Sequence, residues 1–159
     1  MKGIFCNCFK KFDNITVVVQ GSYSKKTVCC VNSIKKHLPG SKIILSTWEG
    51  AEIGEIDQLG LDLLILNKDP GFTYYQDRSV YPDAKINNVN RQIVSTKSGL
   101  AHCSTEYALK LRSDFILKGN GFMGTINKFP KRSSHYQIFK ERITTFSILD
   151  NTGVLFSPC

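Results

Sequence analysis

Arg112 and Asp114 are the residues of the sequence with the clearest potential for chemistry. They stand two positions apart in YALKLRSDFIL (Tyr107–Leu117), whose alternating and then apolar pattern predicts a β-strand. Side chains two residues apart on a strand point to the same face, so the guanidinium and the carboxylate are expected side by side. The carboxylate suits a divalent cation that bridges phosphates, and the guanidinium suits phosphate oxygens. A plain surface ion pair between them is the competing interpretation.

A second group of polar residues stands at the start of INNVNRQIVSTKSGLAHC, which is predicted to be a helix. Asn87, Asn90 and Arg91 are spaced i, i+3 and i+4, which places them on one face of the first turn. Free backbone N–H groups and the helix dipole attract anions there. The opposite face is apolar, at Ile86, Val89, Ile93 and Leu100. The competing interpretation is that Asn87 or Asn88 caps the helix and that Arg91 is solvated.

Strands and helices alternate along the chain, which predicts an α/β fold with a largely parallel sheet. Four short apolar segments predict neighbouring central strands that are buried on both faces. They are Ile15–Gln20, Ile43–Ser46, Leu63–Leu66 and Ala108–Leu111. Between the first two, SYSKKTVCCVNSIKKHLPG has helical spacing, and Pro39–Gly40 is expected to end that helix.

The carboxyl ends of the predicted strands carry the candidate binding residues, because ligands of open parallel sheets bind there. Gly21 directly follows the first strand and would let a ligand approach the backbone closely. The groups at the four strand ends are Gln20–Gly21, Thr47–Trp48–Glu49, Asn67–Lys68–Asp69 and Arg112–Ser113–Asp114.

The net charge of +8 favours polyanionic partners such as nucleic acid, anionic lipid or phosphorylated ligands. The charges are spread along the chain, so nucleic acid is not expected as a partner, and a solvated basic surface is the competing interpretation. Six cysteines without a CxxC pair predict free thiols and no zinc site. GxSxG, P-loop and GxGxxG motifs are absent, which leaves hydrolases, Walker-type proteins and dinucleotide-binding enzymes without support.

The segments ITVVVQG, LPGSKIILSTWEG, LILNKDPG, NNVNRQIVSTKSGL and TEYALKLRSDFIL follow one another between Ile15 and Leu117. Together they resemble the WavE lipopolysaccharide-synthesis family. The resemblance implies a GT-A-like, Rossmann-like fold and a glycosyltransferase-like enzyme of lipopolysaccharide or surface-polysaccharide biosynthesis. Such an enzyme transfers a sugar from a nucleotide-sugar donor to a glycan acceptor. A non-catalytic module that binds nucleotide or nucleic acid is the alternative.

The resemblance also implies roles for the candidate residues. The residues expected to bind the nucleotide sugar are Val19, Gln20, Gly21, Asn87, Asn90, Arg91 and Arg112. GT-A enzymes usually carry Asp-x-Asp at the end of the metal-binding strand, where this chain has Arg112–Ser113–Asp114. Asp114 alone is therefore expected to hold Mn²⁺ or Mg²⁺. The catalytic base cannot be identified from the sequence.

A single domain is expected to span residues 1–159, with 1–14 as a tail and with the acceptor-binding part of GT-A enzymes missing or short. No segment reaches the roughly 18 apolar residues of a membrane span, and a secretory signal is not evident. The expected location is therefore the bacterial cytoplasm, with a lipid-linked oligosaccharide or polysaccharide as acceptor. Peripheral contact with the inner membrane is expected through basic residues, and a solvated basic loop is the alternative. These residues are Lys128, Lys131, Arg132, Lys140 and Arg142.

Overall fold

The computed structural model describes residues 11–54, 56–74 and 86–125, together with positions 133, 135, 143, 148–149 and 155–156. The chain divides into two compact units, residues 1–118 and 119–159. The elements of the first unit are β1 (Ile15–Gln20), α1 (Lys25–His37), β2 (Lys42–Trp48), a 3₁₀ helix (Ile56–Leu59), β3 (Leu63–Asn67), β4 (Thr73–Tyr74), β5 (Ile86–Asn87), α2 (Val89–Ala101) and β6 (Tyr107–Arg112). The second unit contains a 3₁₀ helix (Gly121–Thr125) and an antiparallel pair, β7 (Ile148–Leu149) and β8 (Leu155–Phe156).

The first unit is built on a four-stranded sheet in the order β3-β2-β1-β6, with every pair parallel. All six residues of β1 are buried, and six of the seven residues of β2 are buried. The helix α2 covers the face of β1 that carries Val18, and α1 covers the other face. The predicted α/β class with a largely parallel sheet flanked by helices is confirmed, and the arrangement is Rossmann-like.

The outer strands of this sheet, within the described residues, are β3 and β6. The prediction that all four strands are buried on both faces holds for β1 and β2 and is wrong for the outer two. Leu66 on β3 is 47% exposed, and Ala108 on β6 is also exposed. An outer strand can be as apolar in sequence as a central one. How much of it is exposed depends on its neighbouring strands and on the helices that cover it. The strand predicted for Tyr107–Leu117 also ends earlier, because the chain turns at Ser113–Asp114.

The helix α1 ends where its sequence predicts, and a serine caps its start. Ser24 is the N-cap, and its hydroxyl accepts the N–H of Lys26 while Thr27 Oγ1 accepts the N–H of Ser24. The helix ends at His37, just before Pro39–Gly40. The capping residue Ser24 comes four residues after the end of β1. It therefore places the first turn of α1 near the carboxyl end of that strand.

The helix α2 packs on the sheet through small residues, and this corrects the predicted apolar face. The buried residues of α2 are Ser95 and Gly99, and a Cβ atom on Gly99 would overlap Val18 Cγ1. The predicted apolar stripe points to solvent instead, and Ile93 is 56% exposed. The other exposed members of the stripe are Ile86, Val89 and Leu100. Close approach to β1 requires the small residues at the contact, so the large apolar side chains are turned away from the sheet.

Candidate functional site

A cleft of about 790 Å³ opens at the carboxyl ends of β1, β2 and β6, beside the first turns of α1 and α2. Five of the eight residues predicted from the sequence line it, namely Gln20, Gly21, Arg91, Arg112 and Asp114. The cleft lies where open parallel sheets bind their ligands. The sequence therefore predicts the edge of the sheet at which the cleft lies.

Three of the predicted binding residues do not line the cleft. Val19 is fully buried inside the sheet. Asn87 lies on β5, before the helix, where its Oδ1 accepts the N–H of Val89 at 2.9 Å. Asn90 belongs to α2 but is exposed away from the sheet. The helix starts at Val89 with its small residues against the sheet, so its phase differs from the one that the sequence suggested.

Several lining residues were not among the predicted site residues. They are Ser22, Ser24, Lys25, Lys26, Ile86, Asn88 and Gln92, whereas Trp48 and Ser113 belong to the strand-end groups named from the sequence. Asn88 and Gln92 are spaced i and i+4, in phase with the buried residues Ser95 and Gly99. A search for small residues at helical spacing would have indicated this face. Lys25 and Lys26 directly follow Ser24, the N-cap of α1. A strand that is followed by a glycine and then by a helix N-cap indicates in the sequence that these lysines lie near the end of the strand.

The end of β1 is tied to the end of β6 by a set of short hydrogen bonds. The N–H of Ser113 donates to the carbonyl of Gln20 at 2.9 Å, and Ser113 Oγ donates to the carbonyl of Ser22 at 2.8 Å. Gly21 has a φ of 123°, and a Cβ atom there would lie 2.8 Å from Ser113 Oγ. Glycine is therefore required by conformation and by space. This junction holds the floor of the cleft in one geometry.

Arg112 and Asp114 form a bidentate ion pair at the edge of the cleft. Nε donates to Oδ1 at 2.9 Å and Nη2 donates to Oδ2 at 2.8 Å. These hydrogen bonds lower the pKa of Asp114, and the nearby positive charges of Arg112 and Lys26 lower it further. The guanidinium also lies over the ring of Phe115, 5.3 Å from its centroid. The ion pair that competed with a ligand-binding role in the sequence is therefore present in the structure.

Arg91 is held by a similar pair. Its Nε and Nη2 donate to the two carboxylate oxygens of Asp69 at 2.8 and 2.7 Å, and Nη1 donates to Asn88 Oδ1 at 3.0 Å. Asp69 also accepts the N–H of Gly71, and its pKa is lowered, first by the hydrogen bonds from Arg91. This pair connects α2, which borders the cleft, with the loop that follows β3.

Gln20 places a nearly buried amide in the cleft. The side chain is 3% exposed, and its Oε1 lies 2.8 Å from Ser95 Oγ. Ser95 Oγ is also 2.7 Å from the carbonyl oxygen of Arg91, and a hydroxyl carries one proton for these two acceptors. The other end of the Gln20 amide has no hydrogen-bond partner in the part of the chain that the structure describes. The cleft therefore contains a polar group that a ligand could satisfy.

Unpaired positive charge comes from the start of α1. Lys25 and Lys26 line the cleft, and neither takes part in an ion pair among the described residues. The first turn of α1 has no acidic residue to compensate them. The cleft as a whole has four cationic lining side chains and one carboxylate, so it attracts anions.

The side chains around Asp114 determine whether a divalent cation can bind there. Such cations need several oxygen ligands, usually from more than one side chain. Both oxygens of Asp114 are bound by Arg112, and the described residues hold no group of three or more His, Cys, Asp or Glu side chains placed for a metal. Arg112 and Lys26 add positive charge at the same place. These side chains do not fit a divalent cation that the protein itself holds.

Cys30 lies under the same edge of the cleft. It is fully buried, and its thiol donates to the carbonyl of Arg112 at 3.6 Å. Burial, with a smaller contribution from the charge of Asp114, raises the pKa of this thiol to about 12. The neighbouring Cys29 is exposed, and both are free cysteines, in agreement with the prediction of free thiols. Cys30 is therefore a structural residue and not a nucleophile.

In the described part of the chain, no helix has the length and apolar character needed to cross a membrane. The five basic residues predicted to contact anionic headgroups, from Lys128 to Arg142, lie outside the described residues. Membrane contact through them stays a prediction.

The chain matches a family model described as WavE lipopolysaccharide synthesis over residues 15–152, which is most of its length. The match begins at the first residue of β1 and covers every element that contributes to the cleft. No curated protein and no solved structure matches the chain.

Proposed function

Because the chain belongs to the WavE lipopolysaccharide-synthesis family, we propose that it is a glycosyltransferase-like protein whose cleft binds a nucleotide-sugar donor. One observation carries the proposal. The cleft at the carboxyl ends of the parallel strands combines cationic side chains with a nearly buried amide, Gln20, and an indole, Trp48. The phosphates of a nucleotide sugar need cationic partners, and its nucleobase needs polar and aromatic contacts.

The dimensions support this ligand class. Sites for ligands of this size usually enclose about 300–1,000 Å³, and the cleft encloses about 790 Å³. Gly21 lets the chain turn closely against Ser113, and Gln20 beside it offers one amide end for hydrogen bonding. Val19 lies beneath them inside the sheet, so its proposed role is to position the strand end.

The proposed acceptor is a lipid-linked oligosaccharide or a polysaccharide, reached at the cytoplasmic side of the bacterial inner membrane. This part of the proposal is supported by the family description alone. The transfer reaction needs a base for the acceptor hydroxyl. Asp114 is the one acidic residue among those that line the cleft, and its pKa is lowered by the ion pair with Arg112. The described cleft therefore binds and orients the donor, and it does not itself supply the base.

A non-catalytic module that binds nucleotides is a second candidate function, and the net charge of +8 favours it. A transfer assay separates the two. The chain is incubated with a nucleotide sugar and a lipopolysaccharide acceptor extract, and the released nucleotide and the labelled glycan are measured. A transferase gives both products in equal amounts, whereas a binding module gives neither although it binds the nucleotide.

Trp48 provides the direct test of donor binding, because it is the single tryptophan of the chain and lines the cleft. Nucleoside diphosphates with different bases are titrated, and the quenching of Trp48 fluorescence is recorded together with heat by calorimetry. We expect saturable binding that depends on the base. As a control, the affinities obtained from fluorescence and from calorimetry should agree. Absence of binding for every nucleotide would overturn the proposal. Binding of single-stranded nucleic acid with a steep loss of affinity in salt would support a nucleic-acid module instead.

A further inference from the structure

We propose that the cleft binds the diphosphate of its ligand with the chain's own cations, Lys25, Lys26 and Arg112, and that it needs no divalent cation. Asp114 is then a positioning residue that holds Arg112 and is not a metal ligand. This inference rests on the proposed function, since it states how the same cleft holds the donor.

The distribution of charge is the first argument. Arg91 and Arg112 are each neutralised in part by a bidentate carboxylate, from Asp69 and Asp114. Lys25 and Lys26 line the same cleft without an ion pair in the described residues. The uncompensated positive charge of the cleft therefore lies at the start of α1, next to the Arg112–Asp114 pair. A diphosphate carries the opposite charge and is attracted to this place without a bridging metal.

The geometry at Asp114 is the second argument. Two parallel N–H···O bonds from Arg112 occupy one lone pair on each carboxylate oxygen, so a metal would have to compete with the guanidinium for Asp114. Metal binding would have to break this pair in a surrounding of positive charge, where Lys26 already acts on Asp114. The pair instead fixes a guanidinium that keeps other N–H groups free to donate, because a guanidinium has five N–H donors.

The third argument comes from the strand end beside the lysines. Gln20 lines the cleft, is 3% exposed, and leaves one end of its amide without a partner among the described residues. This end of the amide can donate hydrogen bonds to a ligand in the cleft. Ser24, the N-cap of α1, also lines the cleft and is followed directly by the two lysines. The cations and the amide therefore line the same cleft.

The experiment compares the affinity of UDP, GDP, ADP and inorganic pyrophosphate in EDTA and in Mn²⁺, by Trp48 fluorescence and calorimetry. We expect at least one nucleotide to bind, with affinities in the two buffers that agree within about two-fold. Lys26→Gln and Lys25→Gln should each weaken binding by about ten-fold in both buffers, because a charge-assisted hydrogen bond is lost. Lys36→Gln is the matched control, since Lys36 is an exposed lysine of the same helix outside the cleft and should leave affinity unchanged.

Asp114→Asn separates the two roles of Asp114. If Asp114 only positions Arg112, asparagine still accepts one hydrogen bond from the guanidinium, so the affinity in EDTA and in Mn²⁺ should change by no more than about three-fold. If Asp114 holds a metal, the same substitution abolishes binding. Thermal melting of each variant checks that it folds, and Arg112→Lys serves as a second variant that should weaken binding in both buffers.

Binding that occurs only with Mn²⁺ and is lost in Asp114→Asn would overturn this inference and leave the proposed function intact. Metal-free binding of pyrophosphate without binding of any nucleotide would overturn the proposed function and support the cationic site. If neither nucleotide nor pyrophosphate binds, both are overturned.

Discussion

Arg91 on α2 donates hydrogen bonds to both carboxylate oxygens of Asp69, at 2.8 and 2.7 Å, across 22 residues of sequence. Asp69 lies in the loop after β3, so the pair joins two elements that are separate in the sequence. Arg91 could be predicted as a cleft residue from its place at the start of a helix. Its partner could not be predicted, because a spacing of 22 residues follows no local periodicity.

The pair leads to a prediction about nucleotide binding. Arg91→Ala should weaken nucleoside diphosphate binding by about ten-fold, since a charged donor at the cleft is lost. Asp69→Asn should tighten binding, since the charge of Arg91 is no longer compensated. Both affinities are measured by calorimetry. A lower melting temperature for both variants, with unchanged affinities, would show that the pair is structural and that Arg91 does not meet the ligand.

The two ion pairs also predict how stability depends on pH. Their hydrogen bonds lower the pKa values of Asp69 and Asp114 below the ordinary value of 3.8. A carboxyl whose pKa is lower in the folded state stabilises the fold above its unfolded pKa, and this contribution is lost as pH falls through the folded pKa. The difference in free energy of unfolding between the wild type and the Asp69→Asn, Asp114→Asn double variant should therefore be constant at neutral pH. It should shrink below pH 3.8. Urea unfolding at several pH values measures it, and a difference that grows towards acid pH would contradict the prediction.

The sequence contains enough information for the central strands and for the edge of the sheet where the cleft lies. Runs such as ITVVV are apolar at every position, which is typical of strands with cover on both faces, and β1 and β2 have that cover. The run LLIL of β3 looks the same, but it lies at the outside of the described sheet. Exposure of a strand depends on its neighbours, which the run itself does not encode.

The orientation of α2 shows why the predicted binding residue Asn90 is outside the cleft. Its apolar residues suggested a buried face, yet the sheet contacts Ser95 and Gly99. Close packing of these small residues against β1 sets the rotation of the helix about its axis. With that rotation Asn90 lies outside the cleft, whereas Asn88 lines it. The hydrophobic pattern predicts that a helix forms here, whereas its rotation depends on the close contact with β1, which the pattern does not contain.

The contact between Gly99 and Val18 predicts an effect opposite to the one expected from intrinsic helix propensity. Gly→Ala inside a helix usually stabilises by up to about 1 kcal/mol. At Gly99 the added Cβ would overlap the fully buried Val18, so we expect net destabilisation of about 1–3 kcal/mol. Chemical denaturation measures this change. In the double variant Gly99→Ala, Val18→Ala the overlap is relieved, so its cost should be clearly smaller than the sum of the single costs. Additive costs would show that the two residues are not in contact.

The adjacent cysteines of α1 should differ in reactivity. Cys29 is exposed, whereas Cys30 is buried with a pKa raised to about 12, so Cys30 stays protonated at neutral pH. Because the thiolate is the reactive form, Cys29→Ala should remove one fast-reacting thiol in a titration of the folded protein with a disulfide reagent. Cys30→Ala should remove none. A fast-reacting thiol that disappears in Cys30→Ala would contradict the burial of this side chain.

The hydrogen bond between Ser95 and Gln20 links the stability of the fold to recognition in the cleft. Ser95→Ala leaves the buried amide of Gln20 without this partner, so unfolding should become easier by about 1–3 kcal/mol. Gln20→Leu removes the buried polar group itself, so in the Ser95→Ala background it should recover part of that loss, as a double-mutant cycle by urea denaturation would measure. Gln20→Leu should nevertheless weaken nucleotide binding in either background, because the amide end that faces the cleft is gone. If Gln20→Leu leaves nucleotide affinity and base selectivity unchanged, the amide serves only to join α2 to β1.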